Sequence, residues 1–394
     1  MMPSGLKNSM NPSKKSDYKK TILELFKQTS FPRNPANCAH DLFDNKKIIF
    51  FGAGGGGITF LIRVLRQYGF KAHAVLDRKF KSGDVYFGIP AFSPLEYKPT
   101  NEEKENAVAV ITVVRPEYHE EASNCLRSLG FKNVISAFDI YEYNLAIPTE
   151  VEKRGFDFYL DSKEQIMACP DLFSDDLSRE IFTCFIQTHM TRKPIHIPSS
   201  AIEEQYFPRD IALSKGYSRF VNCGAYNGDT VMRLNALFGK VDAIACFEPD
   251  AENFELLNDY LSAKHDKIAR SVIAFPCGVF SSETQLHFTS GNKGVCTISD
   301  KGDFLIQCVA LDHVIPGFKP TFIDMDVEGA ELEALKGAET LIRENKPDLA
   351  ISVYHAPNHI WDIPLYVESL HLGYRFYLRN YSSFTDDTVL YATT

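Results

Sequence analysis

Three carboxylates stand at alternate positions in the segment FIDMDVEGAE, at Asp324, Asp326 and Glu328. In a β-strand, side chains two residues apart point to the same side, so the pattern predicts one acidic edge. A strand buried on both faces cannot hold three carboxylates cheaply, because each loses its hydration. We therefore expect them to converge on a polar site at the carboxyl end of the strand, where open α/β sheets bind ligands. In the simpler alternative, Asp326 or Glu328 only caps the following helix.

A glycine turn and a further carboxylate lie upstream, in the segments FVNCGAYNGDT and CFEPD. Gly224 and Gly228 follow a predicted strand and remove side chains where backbone amides can face a ligand. Glu248 ends the next predicted strand, where a carboxylate can accept both hydroxyls of a ribose. Each feature alone also fits a packing turn or a surface carboxylate, whereas the pair predicts a nucleoside site. The segment FPCGVF ends a third strand, and its backbone could lie against an adenine ring.

A second glycine loop follows the apolar run IIFF near the N-terminus. Gly52, Gly54 and Gly57 match G-x-G-x-x-G between a predicted strand and a predicted helix, and Asp77 ends the next strand. The pattern favours NAD, so an NAD(P)-dependent oxidoreductase is an alternative function, although no Tyr-x-x-x-Lys hydride-transfer pair is well placed. The segment also resembles the small Rossmann-like domain that begins some sugar-modifying enzymes, which implies a nucleotide-sugar. A structural domain with an empty loop is the third alternative.

The elements around these loops alternate between apolar runs and amphipathic segments, which are typical of buried parallel strands and helices. This rhythm predicts two Rossmann-like three-layer α/β/α domains with mostly parallel sheets and an antiparallel C-terminal strand. Residues 1–19 are expected to be mobile, with a short helix in TILELFKQT. We divide the chain into an N-terminal tail and short helix at 1–45, a small Rossmann-like domain at 46–140, a partly helical connecting region at 141–215 that packs on the second domain, and the larger α/β domain at 216–394.

Composition limits the partners and the compartment. The 51 acidic and 42 basic residues give a net charge of −9, which argues against a non-specific nucleic-acid surface. No segment approaches the roughly 18 uninterrupted apolar residues of a membrane span, and the start is not a signal peptide. Nine cysteines without a C-x-x-C pair fit a reducing compartment. We expect a cytoplasmic protein with no nucleic-acid partner and no membrane span.

From about residue 203 to 394 the chain resembles the FkbM family of S-adenosylmethionine (SAM) dependent methyltransferases. The resemblance rests on EEQYFP, FVNCGAYNGDT, CFEPD with Asn253, FIDMDVEGAELEALKGA, LAISVYHAPNHIWDIP and the closing YRFYLRNYSSFTDDTVLYA. It implies that 216–394 is a SAM-dependent methyltransferase domain that methylates a hydroxyl, often on a sugar, a glycan or a related small molecule.

The resemblance also implies individual roles for residues of these motifs. Gly224, Ala225 and Gly228 would line the methionine and ribose of SAM, and Glu248 would hold the ribose hydroxyls. Cys277 and Gly278 would flank the adenine. Asp326 and Glu328 would face the reacting centre. Two positions depart from the family pattern. Asn222 replaces the usual Asp and loses a charge toward the SAM amine, for which Asp229 could compensate. Asp324 replaces a frequent Lys and adds negative charge beside Asp326.

Methyl transfer to a hydroxyl benefits from a base that takes its proton. His355, at the end of the SVYH strand, and Asp326 are the candidates, and a purely structural hydrogen bond is the alternative for His355. Asp324 and Asp326, together with Glu328, could instead bind a divalent cation. A catalytically silent nucleotide-binding or scaffold protein, with Asn222 marking a decayed SAM site, is the remaining alternative.

Overall fold

The computed structural model describes residues 12–27, 42–54, 56–67, 69–113, 115–141, 156–289, 297–298, 304–382 and 384–394. Its helices are α1 Pro12–Lys27, α2 Gly56–Gln67, α3 Asn101–Asn106, α4 Pro116–Ser128, α5 Ala137–Tyr141, α6 Phe156–Asp161, α7 Lys163–Leu172, α8 Asp176–Thr191, α9 Asp229–Phe238, α10 Ala251–Ile268, α11 Leu311–Val314, α12 Glu331–Lys336, α13 Glu339–Asn345 and α14 His359–Ser369. Its strands are β1 Ile48–Phe51, β2 Ala72–Leu76, β3 Asp84–Tyr86, β4 Ile89–Phe92, β5 Val108–Ile111, β6 Asn133–Ser136, β7 Arg219–Cys223, β8 Val241–Phe247, β9 Ala269–Phe275, β10 Gly278–Val279, β11 Thr284–Thr289, β12 Thr297–Ile298, β13 Phe304–Val309, β14 Phe322–Met325, β15 Asp348–Ser352, β16 Arg375–Asn380 and β17 Thr388–Thr393.

The N-terminal sheet has the strand order β3-β4-β2-β1-β5-β6. All neighbours pair in parallel except β3 and β4, which are antiparallel. Alternate residues of β1 enter different cores, because Ile48 and Phe50 pack in one apolar cluster and Ile49 packs in another. A strand covered on both faces needs a continuous apolar run, and IIFF is such a run.

The C-terminal sheet has the order β16-β17-β15-β14-β7-β8-β9. Strands β15, β14, β7, β8 and β9 are parallel to one another, whereas β17 is antiparallel to both β15 and β16. The predicted mostly parallel sheet and antiparallel C-terminal strand are confirmed. A smaller sheet, β10-β13-β11-β12, lies beside it among the described strands.

The predicted acidic strand is shorter than expected. Strand β14 ends at Met325, so only Asp324 of the three acids lies within it. The chain then turns sharply, and Glu328 adopts a positive φ of 54°. The expectation that all three acids alternate along one strand was therefore wrong, because the turn rather than the strand period directs Asp326 and Glu328.

Residues between the two α/β units contact the C-terminal sheet. Phe173 forms a parallel bridge with Phe376, and Arg379 of β16 makes ion pairs with Asp175 and Asp210 at 2.7 Å. Helix α1 packs in the same apolar core. It begins at Pro12, nine residues before the predicted segment TILELFKQT. Residues 142–155 lie outside the described residues, and the domain boundaries stay predictions. No helix in the described ranges is long and apolar enough to cross a membrane.

Candidate active site

A cavity of about 320 Å³ opens at the carboxyl ends of β7, β8 and β14. Eight of the predicted site residues line it: Gly224, Asp229, Glu248, Asn253, Gly278, Asp324, Asp326 and Glu328. The predicted residues that are not among its lining residues are Asn222, Ala225, Gly228, Cys277 and His355. The tertiary structure thus brings together segments that lie up to a hundred residues apart, at the edge of a parallel sheet where ligands bind.

The turn after β7 must be built on glycine. Gly224 has φ +85°, and a Cβ at this position would lie 1.9 Å from the carbonyl oxygen of Asp326. The amides of Gly224 and Ala225 both donate to the Phe247 carbonyl at 2.9 Å, which anchors the turn to the end of β8. Gly228 has φ +88° and begins helix α9. Backbone rather than side chains therefore forms this wall of the cavity.

Glu248 lies against this turn. Its Oε2 accepts a hydrogen bond from the Tyr226 amide at 2.7 Å, and its Oε1 accepts one from the Asp250 amide at 2.9 Å. Burial raises the pKa of this carboxyl, and the two amides oppose the rise. The carboxylate and the glycine turn therefore share one wall of the cavity, which is the arrangement a ribose site requires.

The two departures from the family pattern are neighbours in the sheet. Asn222 of β7 is the register partner of Asp324 of β14. Both are about 1% exposed, and neither amide atom of Asn222 nor Asp324 Oδ1 has a hydrogen-bond partner among the residues that the structure describes. Burial, followed by repulsion from Asp326 and Asp229, raises the pKa of Asp324 well above its ordinary value. This environment favours the neutral form of Asp324 over the charged form that the sequence suggests.

His355 lies between carboxylates on both sides of its ring. Its Nδ1 is 2.8 Å from Glu331 Oε1, and its Nε2 is 3.3 Å from Asp326 and 3.5 Å from Glu328. Burial lowers the pKa of the imidazole, but these carboxylates outweigh burial and raise it to about 10. His355 is thus an imidazolium at neutral pH and has no free nitrogen to accept a proton. This geometry argues against the base role considered for it and favours an electrostatic one.

Glu331 and Tyr206 are among the residues of the site that were not predicted from the sequence. Glu331 is fully buried at the start of α12, and its carboxylate contacts both His355 and His359, which hold its pKa well below the ordinary value. Tyr206 donates its hydroxyl to Asp326 Oδ2 at 2.6 Å. Both residues belong to motifs that carry the family resemblance, DVEGAE and EEQYFP, so the signal was present in the sequence without an assigned role.

Asp326 and Glu328 differ in how firmly they are held. Asp326 is fixed by Tyr206 and His355, and burial raises its pKa. Within the described residues, the Glu328 carboxylate makes no hydrogen bond, and its ion-pair contact is with His355 Nε2 at 3.5 Å. Burial raises the pKa of Glu328 to about 8, against the lowering effect of the imidazolium. A carboxyl that titrates close to neutral pH can exchange a proton with a bound hydroxyl.

A cation site is the other arrangement that these groups could make. Asp326, Glu331 and His355 each offer one ligand atom, and these atoms lie within 4.8 Å of one another. Asp324, which was predicted as a possible ligand together with Asp326, does not belong to this trio. Its burial favours the neutral acid, whereas a metal ligand must be deprotonated. Both nitrogens of His355 already contact carboxylates, whereas a metal ligand must be a neutral imidazole.

Comparison with known proteins agrees with this geometry. Residues 222–382 match the family model of the methyltransferase FkbM domain. This segment is an FkbM methyltransferase domain. A curated relative, hexuronic acid methyltransferase AglP of Haloferax volcanii, is 26% identical over 150 residues, which are 35% of this chain and 61% of the relative. The chain thus covers less than two thirds of that protein.

The fold comparison extends beyond the FkbM domain. The crystal structure of methyltransferase FkbM from Methylobacillus flagellatus KT matches with a TM-score of 0.68 at 23% identity. The match covers 97% of this chain and 100% of that chain. The two proteins therefore share their fold, including the part that precedes the FkbM domain.

The second glycine loop has a cavity of its own, of about 580 Å³, outside the FkbM domain. Gly52, Gly54 and Asp77 are among the residues that line it. Gly57 lies in the first turn of α2. The structure thus gathers three of the four predicted residues at the carboxyl ends of β1 and β2.

Proposed function

We propose that the FkbM domain binds SAM in the 320 Å³ cavity and methylates a hydroxyl of a sugar or glycan. The single observation that carries the proposal is Glu248 bonded to the glycine turn, beside a wall made of backbone. Asn222 and Asp324 have buried polar atoms without a partner in the described ranges, which leaves hydrogen-bonding capacity for a ligand near this turn. The groups that would hold SAM are Gly224, Tyr226, Glu248, Asn253 and Gly278.

SAM, when bound, supplies an electrophilic methyl group, and the chain supplies a base and a fixed electrostatic setting. Glu328 accepts the proton of the acceptor hydroxyl, since it is the acid of the cluster without fixed hydrogen bonds. Tyr206 and His355 hold Asp326 in one orientation. The imidazolium of His355 also limits how far burial raises the pKa of Glu328, which keeps this base close to neutral pH.

A sugar acceptor is supported by the relative AglP, whose name assigns it hexuronic acid methylation. We therefore propose a hexuronate or a similar glycan sugar as the first acceptor to test. Release of S-adenosylhomocysteine from SAM would be measured with glucuronides and with matched neutral glucosides. Turnover with glucuronides alone would support a hexuronate, and turnover with neither would reject a simple sugar acceptor.

Calorimetric titration of the full chain with SAM and S-adenosylhomocysteine tests the cofactor. Glu248→Gln should weaken binding of both at least about tenfold, because a carboxylate hydrogen bond is roughly twice as strong as a neutral one. Glu252→Gln, on the exposed start of α10, is the matched control and should bind normally. Absence of binding by the native chain would favour the silent scaffold, and binding of NADH alone would favour the oxidoreductase.

A further inference from the structure

The N-terminal glycine loop is tied to the end of the following strand by two hydrogen bonds, and a third holds the carboxylate of Asp77. The Gly52 amide donates to the Leu76 carbonyl at 2.8 Å. The Ala53 amide donates to Asp77 Oδ2 at 2.7 Å, and the Lys79 amide donates to Asp77 Oδ1 at 3.0 Å. One carboxylate thus holds both the loop and the chain two residues beyond itself.

The loop of the FkbM domain has a comparable set of bonds, although its carboxylate holds the amide two residues after the first glycine instead of the next one. The Gly224 amide donates to the Phe247 carbonyl at 2.9 Å. The Tyr226 amide donates to Glu248 Oε2 at 2.7 Å, and the amide of Asp250, two residues beyond Glu248, donates to its Oε1 at 2.9 Å. The two units therefore present a carboxylate and a glycine turn to their cavities in a comparable way.

One glycine of the N-terminal loop has no role in the fold. Gly52 is required, because its φ is +107° and a Cβ there would lie 2.7 Å from Val113 Cγ2. Gly54 does not have a φ in the left-handed region, and a Cβ on it would meet nothing within 4 Å. Gly54 lines the 580 Å³ cavity and is exposed. Space for a ligand close to the backbone explains a glycine that neither conformation nor packing requires.

The lining of this cavity also includes two guanidinium groups and an aromatic ring. Arg78 and Arg115 both line it, together with the carboxylate of Glu121. Arg78 pairs with Glu121, whereas Arg115 has no ion-pair partner in the part of the chain that the structure describes. The Tyr118 side chain lines the same cavity and is about half exposed, at 49%. An unpaired guanidinium is suited to phosphate, and an exposed phenol ring is suited to a flat base.

We propose that this cavity binds a nucleoside diphosphate. Asp77 accepts a ribose hydroxyl, the diphosphate lies between Gly54 and Arg115, and the base lies against Tyr118. The ribose part of this inference rests on the proposed SAM site, since it transfers the role of Glu248 to Asp77. A nucleotide-sugar and a dinucleotide both contain this chemistry, so the chain would hold a second nucleotide apart from the methyl donor.

The test is calorimetric titration of the full chain with UDP, ADP, UDP-glucose and NADH. We expect at least one of these nucleotides to bind. Arg115→Ala should weaken the affinity for that nucleotide about tenfold or more, because a charge-assisted contact is lost. Gly54→Val should abolish binding by filling the approach to the backbone. Arg127→Ala, on the exposed far end of α4, is the matched control and should bind as the native chain does. UDP-glucose binding without NADH binding would identify a nucleotide-sugar, and the reverse a dinucleotide.

SAM affinity of the same variants separates this inference from the proposed function. Arg115→Ala and Gly54→Val should leave SAM binding unchanged, because both positions lie in the other cavity. Thermal unfolding checks that Gly54→Val folds, as the open space around Gly54 predicts. If no nucleotide binds at millimolar concentration, or if both variants bind as tightly as the native chain, the inference is wrong, whatever the result with SAM.

Discussion

Replacing Gly224 with alanine should damage both stability and the proposed SAM site. The residue has φ +85°, where an L-residue costs about 1–2 kcal/mol. The added Cβ would also lie 1.9 Å from the Asp326 carbonyl oxygen, so one of the two backbone segments must move. Overpacking of this kind costs roughly 1–3 kcal/mol more. Because the displaced carbonyl belongs to Asp326, the shift would reach the acid cluster directly.

Gly373 provides a matched control for the conformational part of this cost. Its φ is +80°, and a Cβ on it would meet nothing within 4 Å. Gly373→Ala should therefore lose only about 1–2 kcal/mol of the free energy of unfolding. Any gain from restricting the unfolded chain is common to both substitutions and cancels in the comparison.

Urea unfolding at equilibrium measures the free energy of unfolding of both variants, and calorimetry measures their SAM affinity. We expect Gly224→Ala to be roughly 1–3 kcal/mol less stable than Gly373→Ala and to lose SAM binding, while Gly373→Ala binds normally. Equal losses of stability would refute the argument that close approach to Asp326 requires this glycine. Native SAM affinity in Gly224→Ala would refute the link between the turn and the cofactor.

Other predictions concern the acid cluster. Turnover should rise with pH with a midpoint near 8 as Glu328 loses its proton, and it should fall near pH 10 as His355 loses its proton. Glu328→Gln should remove the rising limb of this profile. A rising limb that persists in the variant would exclude Glu328 as the base. Because the folded pKa of His355 is raised, its stabilisation is complete below about pH 6.5 and is lost as pH rises through about 10. His355→Gln should therefore lower the free energy of unfolding by roughly 3–5 kcal/mol at pH 6 and by much less above pH 10, as urea unfolding at both pH values would measure; an equal loss at both would contradict the charge assignment. Asp326→Ala should fold but lose turnover, whereas Tyr206→Phe should keep part of it; native turnover in Asp326→Ala would remove this residue from the mechanism. Dialysis against EDTA should leave turnover unchanged, because a protonated His355 is no metal ligand, and loss restored by Mg²⁺ or Mn²⁺ would establish a cation.

The sequence by itself determined the features that depend on local rules. Runs such as IIFF must be covered on both faces, so they predicted parallel strands inside α/β layers. Gly224 and Glu248 are separated by one helix and one strand, and parallel strands end at the same edge of a sheet. Their meeting therefore followed from spacing. The two closing strands were likewise readable as two strands joined by a polar turn, and the structure pairs them antiparallel.

Only the tertiary structure decided the charges and partners in the site. The alternation of Asp324, Asp326 and Glu328 suggested one acidic edge, but β14 ends at Met325 and burial raises the pKa of the first acid, which favours its neutral form. His355 could be a base or a structural residue from its type alone. Its pKa depends on how many carboxylates surround the ring, and Glu331 comes from a different element. A pKa reflects desolvation and charges in three dimensions, and the sequence specifies these only through the fold.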